Sequence, residues 1–349
     1  FLTMSYILTL NPIILAKSGM QIDSAVTATA LSTGIATIMC GLFGNLPYGL
    51  APGLGLSTYI SYGIIMKEHL TIPTTLFICF MSGALLYILE LFKITKFLNY
   101  VPPHIKTGII IGMGLLLSFI GFQNSNIICY DQNTLLSLCE YNLDNILPLI
   151  WFICLTIMYK YNIPGKNLLI ILISTIVYSL IYGYYPIEYI SLPKFDITIY
   201  NINIYNDIDK NISTFLIDIL FVTLVLLFDI SGVVHTFKNI THLENNMWIF
   251  ISVSIGTMVS SILGGSPIIV HIESMSGILS GGRTGITSIV TGILFILCLI
   301  ISPLIKFIPS SISAPILLMI GAHMTKEFKS LDIHKIEDIV PTFLTICLI

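Results

Sequence analysis

The sequence predicts an all-α polytopic membrane protein in which two halves of opposite orientation each carry one broken helix. Three observations predict it. Of 349 residues, 55% are hydrophobic and 9% charged, whereas a soluble chain carries roughly 25% charge. The apolar residues fall in runs of spanning length divided by polar loops. Two Gly/Pro-rich stretches, 44–55 and 264–285, interrupt those runs in corresponding places.

Taken in order, the first apolar run covers residues 1–16 and the second about 25–43. The stretch Gly44-Asn45-Leu46-Pro47-Tyr48-Gly49-Leu50-Ala51-Pro52-Gly53-Leu54-Gly55 follows and leads into a short helix over 57–66. Further spans are expected near 72–92, 105–122, 146–160 and 167–184. A polar stretch, about 188–211, precedes spans near 213–237 and 247–263. A broken span around 266–280, two more at 286–303 and 312–324, and a run from 339 complete the chain, about thirteen in all. The chain opens on Phe1 and stops at Ile349 inside apolar runs, so it reads as a C-terminally truncated fragment that also lacks its start.

Loop charge sets the expected orientation. Lys93, Lys96, His104, Lys106, Lys160, Lys166, Lys238, Arg283, Lys326, Lys329 and Lys335 share one side if every run crosses once. Asp131, Glu140, Asp144, Glu188, Asp196, Asp207 and Asp209 lie on the other, with Lys17, Lys194, Lys210 and Lys306 against the trend. The positive-inside rule then places the N-terminal end in the cytoplasm. Most of the seven cysteines lie in apolar runs as small buried hydrophobes. Cys129 and Cys139 flank one polar loop and can pair if that loop is extracellular. The net charge of −3 gives no basis for a nucleic-acid partner, because the charges sit in loops.

A shift of 220 residues aligns Phe1 and Thr3 with Phe221 and Thr223. It also aligns Ser32, Ile35, Thr37, Gly44 and Pro47 with Ser252, Ile255, Thr257, Gly264 and Pro267, superposing the two interrupted stretches. Seven spans separate the copies, and an odd number forces opposite orientations. Two extended segments side by side can pair partly with one another, which relieves the cost of unpaired backbone inside a bilayer. The half-helices that follow then present N-terminal amides to a ligand, and Gly49, Gly53 and Gly55 permit close approach of backbone to solute.

Ionisable residues at membrane depth are expensive and mark function. Asp229 lies inside the apolar run 226–234, and Glu273 starts the half-helix after the second break. Together they can accept hydrogen bonds from the N–H groups of a flat heterocycle and carry a coupling proton. His271 precedes Glu273 by two and faces the same side of an extended segment, as a structural histidine or a proton relay. Glu90, beside Lys93, reads as an interfacial carboxylate, His235 as interfacial, and Arg283 as an anchor. No H-E-x-x-H, G-x-S-x-G or aspartate-rich pair is present, so an enzyme, a metal site or a cofactor is not expected.

These residues resemble a family. Pro267-Ile268-Ile269-Val270-His271-Ile272-Glu273-Ser274-Met275-Ser276-Gly277-Ile278, with residues 281–287, is similar to the tenth-span motif of nucleobase permeases. Residues 1–12, 50–59 and 228–232 point the same way, and the resemblance covers essentially the whole chain. The branch is the adenine/guanine/hypoxanthine permeases of the xanthine/uracil permease (nucleobase–cation symporter) superfamily. The resemblance implies a seven-plus-seven inverted fold. A core domain would comprise 1–92 and 213–305 (spans 1–4 and 8–11), and a gate domain 93–212 and 306–349 (spans 5–7 and 12–13, truncated).

By resemblance, Asp229 and Glu273 hold a purine base; from this, Asp229 or Glu273 is expected to carry the proton, with Gly53, Ser57 and Ser274 beside the base and Tyr59 or Phe228 stacking on it. It also implies proton-coupled uptake by elevator-type alternating access in a multi-pass protein of the plasma membrane, often a homodimer. Three positions depart from the pattern: Ser57 stands where Asn is usual, Leu226 where an acid is frequent, and Val233 where uracil transporters carry His. A xanthine/uracil transporter is the alternative. An anion transporter of the same fold fits less well, because two carboxylates repel an anion.

Overall fold

The computed structural model describes residues 1–93, 102–131, 134–140, 142–183, 185, 190, 191, 193, 212–241, 247–330 and 335–348. The expectations for Lys96, Glu188, Lys194, Asp196, Asp207, Asp209 and Lys210 fall outside the described residues, as do those for the side chains of His235, Lys238 and Lys306.

The predicted apolar runs are helices. α1 (Ile7–Lys17) and α2 (Ile22–Gly44) precede strand β1 (Leu50–Pro52). α3 (Leu54–Thr58) passes directly into a π-helical turn, Tyr59–Lys67, where a single α-helix was expected. Then come α4 (Ile72–Leu91), α5 (Pro103–Asn124), strands β2 (Ile128–Asp131) and β3 (Leu135–Leu138), α6 (Leu143–Lys160) and α7 (Lys166–Tyr182). α8 (Ile212–Thr241) and α9 (Met247–Ile262) lead to β4 (Ile268–Val270) and the short α10 (Ser274–Leu279). α11 (Gly285–Leu297), a 3₁₀ turn at Cys298–Ile301, α12 (Ser302–Lys306), α13 (Ser310–Met324), a second 3₁₀ stretch (Thr325–Ser330) and α14 (Ile336–Leu348) complete it.

Local chemistry accounts for the boundaries. Asn45, at φ 50°, ends α2 in the left-handed conformation that Asn tolerates. Prolines open α4 and α5, where their missing N–H is harmless. Pro12, Pro148, Pro315 and Pro341 lie inside helices, as membrane helices allow. Among the described residues, six helical segments are long and apolar enough to cross a membrane, and α1, α7 and α9 are shorter apolar helices.

The chain forms two compact units. One holds α1–α4, α8–α12 and the β1–β4 pair. In it α2 packs on α11 so closely that a Cβ on Gly41 would lie 2.4 Å from the Gly285 carbonyl oxygen. The second unit holds α5–α7, β2, β3, α13 and α14. There a Cβ on Gly321 would lie 2.4 Å from the Gly114 carbonyl oxygen, and α13 packs on α5. Small residues that bring backbones together are the usual device of helix association in lipid, where burial of apolar area supplies no drive. A disulfide joins Cys129 to Cys139 across the antiparallel β2–β3 hairpin.

One side chain departs from its reading. Glu90, expected at an interface, is buried at the end of α4 with 8% of its surface exposed. As the penultimate residue of α4, it is still inside the packed helix rather than past it.

Candidate functional site

The two Gly/Pro-rich stretches meet. β1 and β4 run antiparallel with Leu50 opposite Val270, Ala51 opposite Ile269 and Pro52 opposite Ile268. The ladder continues at both ends: the Gly53 amide donates to the Pro267 carbonyl at 3.1 Å, and the His271 amide to the Gly49 carbonyl at 3.0 Å. Backbone that would be orphaned in a bilayer is thereby paired.

Each strand is also held by a threonine of the helix before it. Thr37 on α2 donates to the Leu50 carbonyl at 2.8 Å and accepts from the Leu50 amide at 3.0 Å. Thr257 on α9 accepts from the Ile268 amide at 3.0 Å and reaches the Ile268 carbonyl at 3.5 Å. Thr37 and Thr257 are equivalent under the 220-residue shift, and they perform the same task.

A buried polar hub ties α1 to both breaks. Asn11 Oδ1 accepts from the hydroxyls of Ser57 and Ser266, while its Nδ2 donates to Thr29 Oγ1 at 2.8 Å. Ser57 and Ser266 lie 2.8 Å apart, and the Ser57 hydroxyl also reaches the Gly53 carbonyl at 2.8 Å. Ser260 fixes Ser266 from α9 through its carbonyl at 2.6 Å. Asn11 and Ser57 are fully buried and Ser266 is nearly so. Ser57, expected beside a ligand, bonds to Asn11, Gly53 and Ser266 at the junction.

Around that junction stand the acids. Tyr6 on the segment entering α1 donates to Glu273 Oε1, and the Thr3 hydroxyl reaches the Glu273 carbonyl at 3.4 Å. His271 contacts the Pro52 carbonyl through Nε2 at 3.1 Å and Glu273 Oε2 through Nδ1 at 3.3 Å. A carbonyl only accepts, so Nε2 carries a hydrogen. Nδ1 and Glu273 Oε2 then face each other at hydrogen-bonding distance. Asp229, from α8, which packs against β4, lies within electrostatic reach of His271. The Glu273 side chain keeps 21% of its surface exposed.

Of the other expected site residues, Gly53 sits at the head of α3, where a Cβ would meet Ile269 at 2.9 Å, and no side chain caps that helix. Ser274 is tied to the first break: its hydroxyl accepts from the Gly49 amide at 2.8 Å. The first amides of α10 turn back to the carbonyls of His271, Ile272 and Glu273. The expectation of free amides therefore does not hold at this half-helix, because its first turn is tightened into i→i+3 bonds. Phe228 is buried in the apolar core. Tyr59 packs on Phe221 at 4.6 Å between ring centroids and donates its hydroxyl to Asp218 at 2.9 Å. Neither aromatic has a described contact with Glu273.

Tyr6, Asn11 and Ser266 were not singled out by sequence. Asn11 and Ser266 are polar residues next to prolines within broken or apolar runs, which is the signal that finds them.

Comparison with known proteins gives the family and the fold. The profile of the xanthine/uracil permease family, described simply as a permease family, matches residues 1–349. The chain is 32% identical to a putative permease of Methanocaldococcus jannaschii, covering 99% of this chain and 81% of that protein. It is 27% identical to the guanine/hypoxanthine permease PbuO of Bacillus subtilis, over 99% of this chain and 83% of the relative. It is 28% identical to the adenine permease AdeP of Escherichia coli, over 99% and 79%. Among solved structures, the transmembrane domain of the cyanobacterial bicarbonate transporter BicA superposes with a TM-score of 0.77 at 17% identity, covering 100% of this chain and 93% of that one. The SLC26A9 structure superposes at 0.66 and 9% identity, covering 94% and 57%, and both neighbours speak to fold alone. The chain therefore belongs to the xanthine/uracil permease family and is a multi-pass membrane transporter, not an enzyme.

Proposed function

We propose that the protein is a secondary active transporter that takes up purine nucleobases (hypoxanthine, adenine and guanine) together with protons. The observation that carries this reading is the acidic group at the β1–β4 crossing: Glu273, held by Tyr6 and His271, with Asp229 within electrostatic reach of His271. A purine offers ring and exocyclic N–H donors in one plane, and two carboxylates are acceptors for them. The names of the relatives, adenine permease and guanine/hypoxanthine permease, support the same solute class.

The His271–Glu273 contact at 3.3 Å supports proton coupling, since a proton taken up by this pair would offset the Glu273 charge and travel with the bound base. The equivalent threonines, Thr37 and Thr257, support an inverted repeat. The unit that contains α1–α4 and α8–α12 supports a site-bearing core, with transport by elevator-type displacement of that core against a gate. The two carboxylates also favour a base over the bicarbonate named for the BicA neighbour, because they repel an anion.

Uptake of radiolabelled bases by a permease-deficient cell expressing the full-length chain tests the reading. Hypoxanthine, adenine and guanine should be taken up and should compete with one another, with uracil and xanthine ineffective. Glu273→Gln should raise the KM for purines about 10–100-fold, the worth of a hydrogen bond to a charged group. Purine uptake unchanged by Glu273→Gln sinks the site assignment, and uptake of uracil or xanthine alone sinks the purine branch.

A further inference from the structure

A second acidic site lies in the same unit, away from the crossing. Asp218 is on α8, eleven residues before Asp229, which is about 16 Å along the helix. It is 2% exposed, in an apolar setting formed by Ile60, Ile64, Ile78, Cys79 and Ile219. One carboxyl oxygen, Oδ1, accepts from the Tyr59 hydroxyl at 2.9 Å. The other, Oδ2, is buried with no hydrogen-bond partner among the described residues. The carboxyl of Glu68, in the connection between the π-helical turn and α4, acts electrostatically on Asp218 from the side of that turn.

A buried carboxylate oxygen without a donor is expensive, on the order of 1–3 kcal/mol or more for a charged group. Asp218 is buried and Glu68 beside it is exposed, and a second negative charge next to the buried carboxylate makes it costly for both to stay ionised. One proton bound between them resolves both costs, because it supplies Oδ2 with a donor and removes a charge. The groups that face the pair are Tyr59 from the π-helical turn, Cys79 from α4 and Lys67 beside Glu68. Lys67 is the single cation among them and favours the ionised Glu68, while burial and the Asp218 charge outweigh it and push the Glu68 carboxyl up to about 7.

We propose that Asp218, Glu68 and Tyr59 form a second proton-binding site, which takes one proton shared by the two carboxyls, with the Tyr59 hydroxyl as fixed donor. The site joins α8, which carries Asp229, to the far end of the half-helix that begins at Gly53. Proton occupancy there ties together the two elements on which the proposed purine site depends, without touching the base.

Difference infrared spectroscopy of the full-length protein in nanodiscs, titrated from acid to alkaline pH without any base present, tests this. Recorded in an Asp229→Asn background, so that Asp229 does not contribute, a protonated-carboxyl band should titrate near neutral pH, should vanish when Asp218→Asn or Glu68→Gln is added, and should persist in Glu273→Gln. Glu68 is at the end of its helix, so Glu68→Gln should fold even if Asp218→Asn does not. Tyr59→Phe should shift the titration, because it removes the donor to Oδ1. A neutral-pH band that survives both carboxyl variants, or one lost only in Glu273→Gln, overturns the proposal. So does a titration that moves when sodium replaces a bulky organic cation, since the occupant would then be a metal cation. Because no transport is measured, these outcomes are separate from the purine-transport reading.

Discussion

At the residue scale, the hub of Asn11, Ser57 and Ser266 and the pair of His271 and Glu273 divide the labour at the crossing. The hub is fully buried and its bonds stay within the protein, whereas Glu273 is partly exposed. Asn11→Ala leaves two buried hydroxyls and Thr29 short of a partner, which should cost about 1–3 kcal/mol. A fall in the melting temperature of the purified protein, measured by the fluorescence of its tryptophans in detergent, checks this, and an unchanged melting temperature contradicts it. Asp229 and Glu273 were legible because ionisable residues stand out in apolar runs. The same rule applies equally to Asp218, which was hidden only by its place near the start of its run. Ser57 was legible as a polar residue near the break, but not its direction, because hydrogen-bond partners from α1 and the second break are 46 and 209 residues away.

At the element scale, the breaks were legible as Gly/Pro clusters, and so was their tendency to pair. The register was not. It is set by Thr37 and Thr257, whose hydroxyls select Leu50 and Ile268 from the two preceding helices. The π-helical turn after α3 was also invisible, since nothing in its composition separates it from an ordinary apolar helix. Close helix pairs depend on glycine. Gly41→Ala places a methyl group against the backbone of Gly285, and overpacking of this kind costs typically 1–3 kcal/mol. Gly19→Ala is a poor control because of its positive φ, whereas Gly232→Ala meets open space. Thermal unfolding should therefore show Gly41→Ala clearly less stable than Gly232→Ala, and equal midpoints would contradict the packing.

At the scale of the whole molecule, the composition alone excluded a soluble chain, and the order of motifs brought out the family. The division of the chain into two compact units rests on long-range packing that no window of sequence contains. The pH response of the molecule follows from the second acidic site. The Glu68 carboxyl takes up its proton near pH 7 in the folded protein and near its ordinary value of 4.5 when unfolded. The folded state therefore binds the extra proton between those values, and stability should rise as pH falls from about 7 toward 4.5. Glu68→Gln should flatten that part of the curve of melting temperature against pH, and an unaltered slope would contradict it.

The central claim is that purine uptake and proton movement are one process at the β1–β4 crossing. Proteoliposomes that hold the full-length protein and a pH-sensitive dye inside measure it directly. An inward gradient of hypoxanthine should acidify the lumen in the absence of any imposed pH difference, and Glu273→Gln should abolish the acidification. Hypoxanthine entry with no change in luminal pH would contradict the account.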